Sequence, residues 1–191
     1  MPETVPSHDP PRTAAQRGRP MTLEIPEEPR RTVAWVTLEE VPTAVVRYEG
    51  ATMATVGQAF DGAFPAVMQA LEQAGLTFDV PALAVYHGDP QATFDLEVGC
   101  TLREPLPEEV TVGELVVRPS HLAAGEYATL SHLGSYDGLG ASWQTLVEDV
   151  RGGGAETEPR WLEVYVSDPT STAPEDLRTD LFVQVVVTDT V

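Results

Sequence analysis

Two stretches of the chain repeat apolar residues with the spacing of one face of an α-helix. In the first, about residues 55–74, the stripe is Phe60, Phe64, Val67, Met68 and Leu71. In the second, about residues 137–150, it is Leu139, Trp143, Leu146, Val147 and Val150. Residues three and four apart share a helix face, so each stripe predicts an amphipathic helix that packs on a core. Gly75 and the glycines at 152–154 are suited to end them.

Shorter β-rich stretches surround both helices. In the first half they lie near residues 33–38, 43–48, 82–87 and 93–101, and in the second near 114–118, 126–132, 161–167 and 178–187. Each half therefore reads as strands, a helix and then a strand pair. This order predicts an α+β fold in which two main helices cover one side of antiparallel sheet.

The two halves also resemble each other in sequence. A shift of 79 positions aligns the chain with itself without a gap from Tyr48 to Pro90, so that Tyr48 falls on Tyr127 and Ala84 on Glu163. This period is longer than that of solenoid repeats. It predicts duplicated strand-helix-strand-strand modules, about 32–102 and 110–188, with pseudo-two-fold symmetry and a central cleft. They form one domain, 32–191, after a disordered tail, 1–31, which lacks an apolar face.

Composition narrows the classes of partner. The 191 residues carry a net charge of −19, and all eleven basic residues are arginine. Such acidity argues against direct nucleic-acid binding and against docking on anionic membranes. With the one cysteine, Cys100, no internal disulfide is expected. The chain shows no signal-peptide core and no long apolar run, so we expect a cytoplasmic protein. A monomer is compatible with the sequence.

The strand at 161–166 carries the most informative polar residue. Side chains alternate across a strand, which places Trp161, Glu163 and Tyr165 on one face. The matching residues of the first half are Ala82, Ala84 and Tyr86. A carboxylate between aromatic rings suits a flat, lipophilic cation, because the rings and the charge both attract it. The alternative is that this face is exposed to solvent and Glu163 is a surface acid.

Further candidates for the cleft come from neighbouring elements. They are Tyr86, Tyr127, Phe182, Gln184, Tyr136 and Trp143, the last of which can also be a core residue. The four histidines show no metal-ligand spacing, so we expect no metal. The sequence indicates no cofactor, and no motif for a serine or cysteine nucleophile is present.

Several motifs together resemble the GyrI-like small-molecule-binding family, the effector-binding domain of bacterial transcription activators. They are the segments 45–50, 124–130, 132–139 and 163–169, and the resemblance covers about residues 32–188. It implies a duplicated module with a central cleft, and it maps the acidic residue of that cleft onto Glu163.

The resemblance also implies the candidate functions. The first is a stand-alone binding protein for lipophilic, cationic aromatic compounds. The alternative is a hydrolase of reactive, cyclopropane-containing electrophiles, in which Glu163 would be the general acid or base. A third is an interaction with a protein such as a topoisomerase.

Overall fold

Residues 23–186, the part of the chain that the computed structural model describes, fold into one antiparallel sheet and two α-helices. The elements up to the middle are β1 (Ala34–Leu38), β2 (Val41–Ala51), α1 (Val56–Ala74), β3 (Phe78–Gly88), β4 (Phe94–Leu102) and β5 (Val110–Val112). The remainder are β6 (Leu115–Leu122), β7 (Gly125–Leu133), α2 (Leu139–Gly152), β8 (Glu156–Tyr165) and β9 (Arg178–Val186). Short 3-10 turns lie at Tyr136–Gly138 and Pro174–Asp176. The predicted α+β class is confirmed.

The order of the strands interlocks the two halves of the chain. The nine described strands run β1-β7-β9-β8-β3-β4-β2-β6-β5 across the sheet. β1 precedes β2 in the chain but pairs with β7, and β6 precedes β7 but pairs with β2. The halves also meet in the antiparallel pair β3 and β8 at the centre of the sheet. Consequently residues from both halves meet on these two strands.

Both helices lie on the same face of the sheet. Val67 and Leu71 of α1 are buried against one half of that face, and Leu146 and Val150 of α2 against the other. The larger members of each stripe, such as Phe60 and Trp143, are only partly buried. One edge of each predicted stripe therefore packs in the core, and the other edge lines the space between the helices. The first helix ends as predicted at Gly75, whose φ is 66°.

The opposite face is covered in part by the beginning of the described chain. Leu23 is 3% exposed and packs in the core cluster of that face. The backbone N–H of Arg30 donates to Ser131 Oγ at 2.8 Å, and Arg178 Nη1 donates to the carbonyl of Glu27 at 3.0 Å. The prediction that residues 1–31 form a disordered tail is thus wrong for 23–31, which are held by apolar burial and by bonds to β7 and β9. Residues 1–22 lie outside the described residues.

The central strand pair has the register that a two-fold axis requires. Ala84 lies directly opposite Glu163, its predicted counterpart. The flanking pairs are Leu83 with Val164 and Val85 with Leu162. The shift of 79 positions matches Leu83 with Leu162 and Val85 with Val164, so it turns each flanking pair into the other. The register at the centre therefore agrees with the predicted repeat.

Farther from the centre the ungapped alignment fails. In the first half, Ala84 of β3 lies opposite Val98 of β4, which lies opposite Val46 of β2. In the second half, Glu163 of β8 lies opposite Leu181 of β9, which lies opposite Leu130 of β7. Val46 therefore corresponds to Leu130, whereas a shift of 79 positions continued to this residue would give Gly125. The match of Tyr48 with Tyr127 is wrong for the same reason. The stretch from β2 to α1 in the first half and the stretch from β7 to α2 in the second half differ in length. Duplication of the whole module stays a prediction.

Candidate functional site

A cleft of about 1950 Å³ lies over β3 and β8, between the two helices. Its floor includes Ala82 and Tyr86 of β3 with Trp161, Glu163 and Tyr165 of β8. Residues of α1 and α2 form the walls. Ligand pockets for drug-sized molecules usually enclose about 300–1,000 Å³, so this space is ample for a small molecule.

Glu163 lies on the floor of the cleft and is 6% exposed. Its Oε2 accepts hydrogen bonds from Tyr165 Oη at 2.6 Å and from Tyr86 Oη at 3.0 Å. Its Oε1 accepts one from Trp143 Nε1 at 2.8 Å. These three donors are uncharged, so they orient the carboxylate and solvate it without neutralising it. The interpretation of Glu163 as a surface acid is wrong.

The neighbouring residues explain how a charge comes to lie there. Ala84, opposite Glu163, is fully buried and its side chain brings no polar group to the carboxylate. Trp161 is fixed by a hydrogen bond from Nε1 to the carbonyl of Gly88 at 2.9 Å. Trp143 packs edge-on against Trp161, with ring centroids 5.4 Å apart. The second half thus builds an aromatic wall around the acid, as the alternation of β8 indicated.

The two tyrosines are held as hydrogen-bond donors. Burial, and next the charge of Glu163, raises the pKa of Tyr86 and of Tyr165 well above the ordinary tyrosine value. Burial likewise raises the pKa of Tyr136, followed by the charges of Glu163 and Asp168. The phenols therefore remain protonated over the physiological pH range and do not compete with the carboxylate for a cation.

Aromatic rings continue from the floor to the mouth of the cleft. Tyr165 packs edge-on against Phe60 of α1, at 5.3 Å, and against Tyr136, at 5.9 Å. Tyr136 is 40% exposed. Met53 and Met68, also lining residues, are 59% and 44% exposed. An accessible apolar surface thus leads from solvent to Glu163.

The charges that line the cleft are nearly all of one sign. Besides Glu163, the acidic lining residues are Asp61, Asp89, Asp137, Glu148 and Asp168. Arg151 is the one basic residue among the described residues that line it. A cleft lined by negative charge concentrates cations and repels anions.

The family of the chain can be stated from its sequence as a whole. The model of the GyrI-like small molecule binding domain matches residues 31–186. The chain belongs to this family. A comparison with curated proteins gave no match.

Solved structures share the fold of this GyrI-like domain. The C-terminal domain of EcmrR is 17% identical with a TM-score of 0.68, covering 82% of this chain and 98% of that one. A hydrolase from Listeria innocua is 18% identical with a TM-score of 0.58, covering 84% and 94%. SAV2435 bound to tetraphenylphosphonium is 12% identical with a TM-score of 0.53, covering 81% and 93%.

The structure brings six of the predicted site residues of this GyrI-like domain together around the cleft. They are Tyr86, Tyr136, Trp143, Trp161, Glu163 and Tyr165. Two others, Tyr127 and Phe182, are buried in the core on the opposite face of the sheet, and their prediction as lining residues is wrong. Tyr127 Oη donates instead to the carbonyl of Ala123 at 2.9 Å. Gln184, directly opposite Tyr127 in the register of β7 and β9, belongs to that face too.

Sequence reasoning missed the contribution of α1 to the cleft. Phe60, Phe64 and Met68 were predicted only as core residues, yet they line its wall. The signal available was the width of the stripe, which exceeds what one line of core contact needs. Cys100, which is 5% exposed, also lines the floor.

His132 does not line the cleft but holds residues that do. Nδ1 lies 2.8 Å from Ser142 Oγ and Nε2 lies 2.9 Å from the carbonyl of Ser135. The ring therefore ties the end of β7 to the turn that carries Tyr136. Among residues 23–186 no group of three metal-ligating side chains is found, and no helix there is long and apolar enough to cross a membrane.

Proposed function

We propose that this GyrI-like domain binds lipophilic cations in the cleft, with the positive charge beside Glu163. The observation that carries the proposal is the buried carboxylate whose hydrogen-bond partners are all uncharged. Burying a charge is costly unless an opposite charge accompanies it. A cationic ligand supplies that opposite charge, so its binding gains energy that a neutral ligand of the same shape does not.

The aromatic walls support the same ligand class. A cation within about 6 Å of a ring face is attracted by the quadrupole of the ring. Rings of Tyr86, Trp143, Trp161 and Tyr165 line the cleft around the acid. One protein of similar fold, SAV2435, is bound to tetraphenylphosphonium, a lipophilic cation of this kind.

The hydrogen bonds that Glu163 already accepts narrow the class of cation that we expect to bind. Both carboxylate oxygens have donors, and Oε2 has two. A ligand therefore gains little by bringing its own N–H group, which would have to displace a phenol or an indole. The arrangement favours cations that lack hydrogen-bond donors, such as phosphonium and quaternary ammonium ions, over protonated amines.

Glu163→Gln tests the proposal, because it keeps the size of the side chain and removes its charge. We expect the affinity for tetraphenylphosphonium to fall by about 1.5–3 kcal/mol, the attraction between two unit charges about 6–10 Å apart at an effective dielectric constant of about 20. That is about tenfold to 150-fold in the dissociation constant, measured by isothermal titration calorimetry. The affinity for neutral triphenylphosphine oxide should barely change.

The matched control is Glu158→Gln, an exposed residue of the same strand that does not line the cleft. It alters the net charge by the same amount and should leave both affinities unchanged. An equal loss of affinity in the two variants would show that the loss comes from the change in net charge and not from a contact with Glu163. Equal affinities in Glu163→Gln and the parent would contradict the proposal.

Hydrolysis of a strained electrophile is the second candidate function. It is favoured by the short contact between Tyr165 Oη and Glu163 Oε2, 2.6 Å, which resembles an acid-base pair. The fold shared with a hydrolase from Listeria innocua adds to it. Under this hypothesis a cyclopropane- or epoxide-containing substrate is turned over by the parent, and Glu163→Gln abolishes turnover while the substrate still binds. Binding without turnover in the parent supports the first function.

A further inference from the structure

The two halves of the cleft floor differ in size as well as in charge. The shift of 79 positions matches Trp161 and Glu163 of β8 with the small residues Ala82 and Ala84 of β3. Across the strand pair itself, Trp161 lies opposite Tyr86 and Glu163 opposite Ala84. On the β8 side, the indole of Trp161 fills its position. The position of Ala82 lacks any comparable side chain, and both Ala82 and its partner on β4, Cys100, line the cleft.

The space next to Ala82 is apolar. We call it the α1 lobe and define it by Ala82 and Cys100 on the floor with Phe64, Val67 and Met68 on the wall of α1. Burial raises the pKa of the Cys100 thiol to about 12, so the thiol is neutral at physiological pH. The lobe therefore offers hydrocarbon and sulfur surface and no charge.

The α1 lobe begins close to the buried carboxylate. Ala82 is two residues along β3 from Ala84, the partner of Glu163. Diagonal neighbours of this kind lie about 7–8 Å apart in antiparallel sheets. A cation beside Glu163 is thus within a few carbon–carbon bonds of the lobe, and the cleft volume of about 1950 Å³ leaves room for the rest of a larger molecule.

We propose that the cleft binds cations that carry an extended apolar arm, with the positive centre beside Glu163 and the arm in the α1 lobe. This inference rests on the proposed function, since it needs a cation at Glu163. Hydrocarbon moved from water into such a lobe gains affinity by about threefold to fourfold per methylene group. The unbranched side chain of Met68, 44% exposed at the wall, can adapt to arms of different shape.

The test is a chain-length series on the full-length protein. Alkyltrimethylammonium ions from butyl to decyl are titrated by calorimetry, with benzyltrimethylammonium as the compact cation. In the parent, affinity should rise by about threefold to fourfold per methylene until the lobe is filled, and then level off. Ala82→Trp gives β3 the residue that its counterpart on β8 carries, and it should abolish the rise, so that the butyl and decyl ions bind this variant with similar affinity.

Two further variants keep the result interpretable. Ala82→Leu fills the lobe only in part, so its affinities should level off at a shorter arm; it replaces the tryptophan variant if that one does not fold. Gln73→Trp adds the same side chain at an exposed site of α1 outside the cleft, and it should retain the parent series.

The outcomes separate this inference from the proposed function. If benzyltrimethylammonium binds and depends on Glu163, but affinity does not rise with chain length, the α1 lobe is not an arm site. The same conclusion follows if the rise survives Ala82→Trp. If benzyltrimethylammonium does not bind the parent, or binds Glu163→Gln equally well, the proposed function itself is wrong.

Discussion

Tyr165→Phe removes the shortest of the three hydrogen bonds to Glu163 while keeping the aromatic ring in place. The ring retains its edge-on contacts with Phe60 and Tyr136, at 5.3 and 5.9 Å, so packing changes little. The lost bond, 2.6 Å long, joins a phenol to a buried charged group. Such bonds contribute about 1.5–3 kcal/mol, whereas bonds between neutral groups contribute about 0.5–1.5 kcal/mol. We expect the free energy of unfolding, measured by urea denaturation, to fall by the larger amount.

Tyr127→Phe is the matched comparison. It removes a phenol that donates to a backbone carbonyl, that of Ala123 at 2.9 Å, in the core of the opposite face. Its cost should lie in the neutral range. A loss of stability in Tyr165→Phe that is no larger than in Tyr127→Phe would contradict this expectation. The two changes should also be coupled, because Tyr165 donates to the charge that Glu163→Gln removes. An equal cost of Tyr165→Phe in the Glu163→Gln background and in the parent would show that they are not.

Two other predictions concern the alkaline range and the beginning of the described chain. Because the pKa values of Tyr86 and Tyr165 are raised in the folded protein, the stability that they contribute is full below the unfolded value of about 10 and is lost as pH rises towards the folded values. The free energy of unfolding should fall above about pH 10, less steeply in Tyr165→Phe than in the parent, and identical slopes would count against the assignment. Leu23→Ala should cost about 2–5 kcal/mol, because that side chain is 3% exposed. Exposed Glu28→Ala is its control, and a cost for Leu23→Ala below about 0.5 kcal/mol would show that residues 23–31 do not pack as described.

The sequence predicted those features that depend on periodicity within one element. The helical stripes located α1 and α2, and alternation along β8 put Trp161, Glu163 and Tyr165 on one face. These predictions succeeded because one face of each element differs chemically from the other. On β8 in particular, the aliphatic residues Leu162 and Val164 alternate with the site residues.

The predictions that failed concern segments in which the two faces do not differ chemically or in which no periodic pattern exists. Most residues of β7 and β9 are buried on both faces, so alternation could not assign Tyr127 and Phe182 to the correct side. The exchange of β1 and β6 between the halves is set by pairing across long stretches of chain, which no local pattern encodes. The packing of residues 23–31 rests on Leu23, Ile25 and backbone hydrogen bonds, too few apolar residues to form a periodic signal.

The most direct test of the account is a crystal structure of the protein with tetraphenylphosphonium. We expect one ion in the cleft between α1 and α2, with its phosphorus beside the Glu163 carboxylate and within about 6 Å of at least one ring centroid of Trp143, Trp161 or Tyr165. The carboxylate should keep its contacts with Tyr86 and Tyr165, because the cation brings no hydrogen-bond donor. An ion bound elsewhere on the acidic surface, with the cleft empty at saturating concentration, would contradict the account.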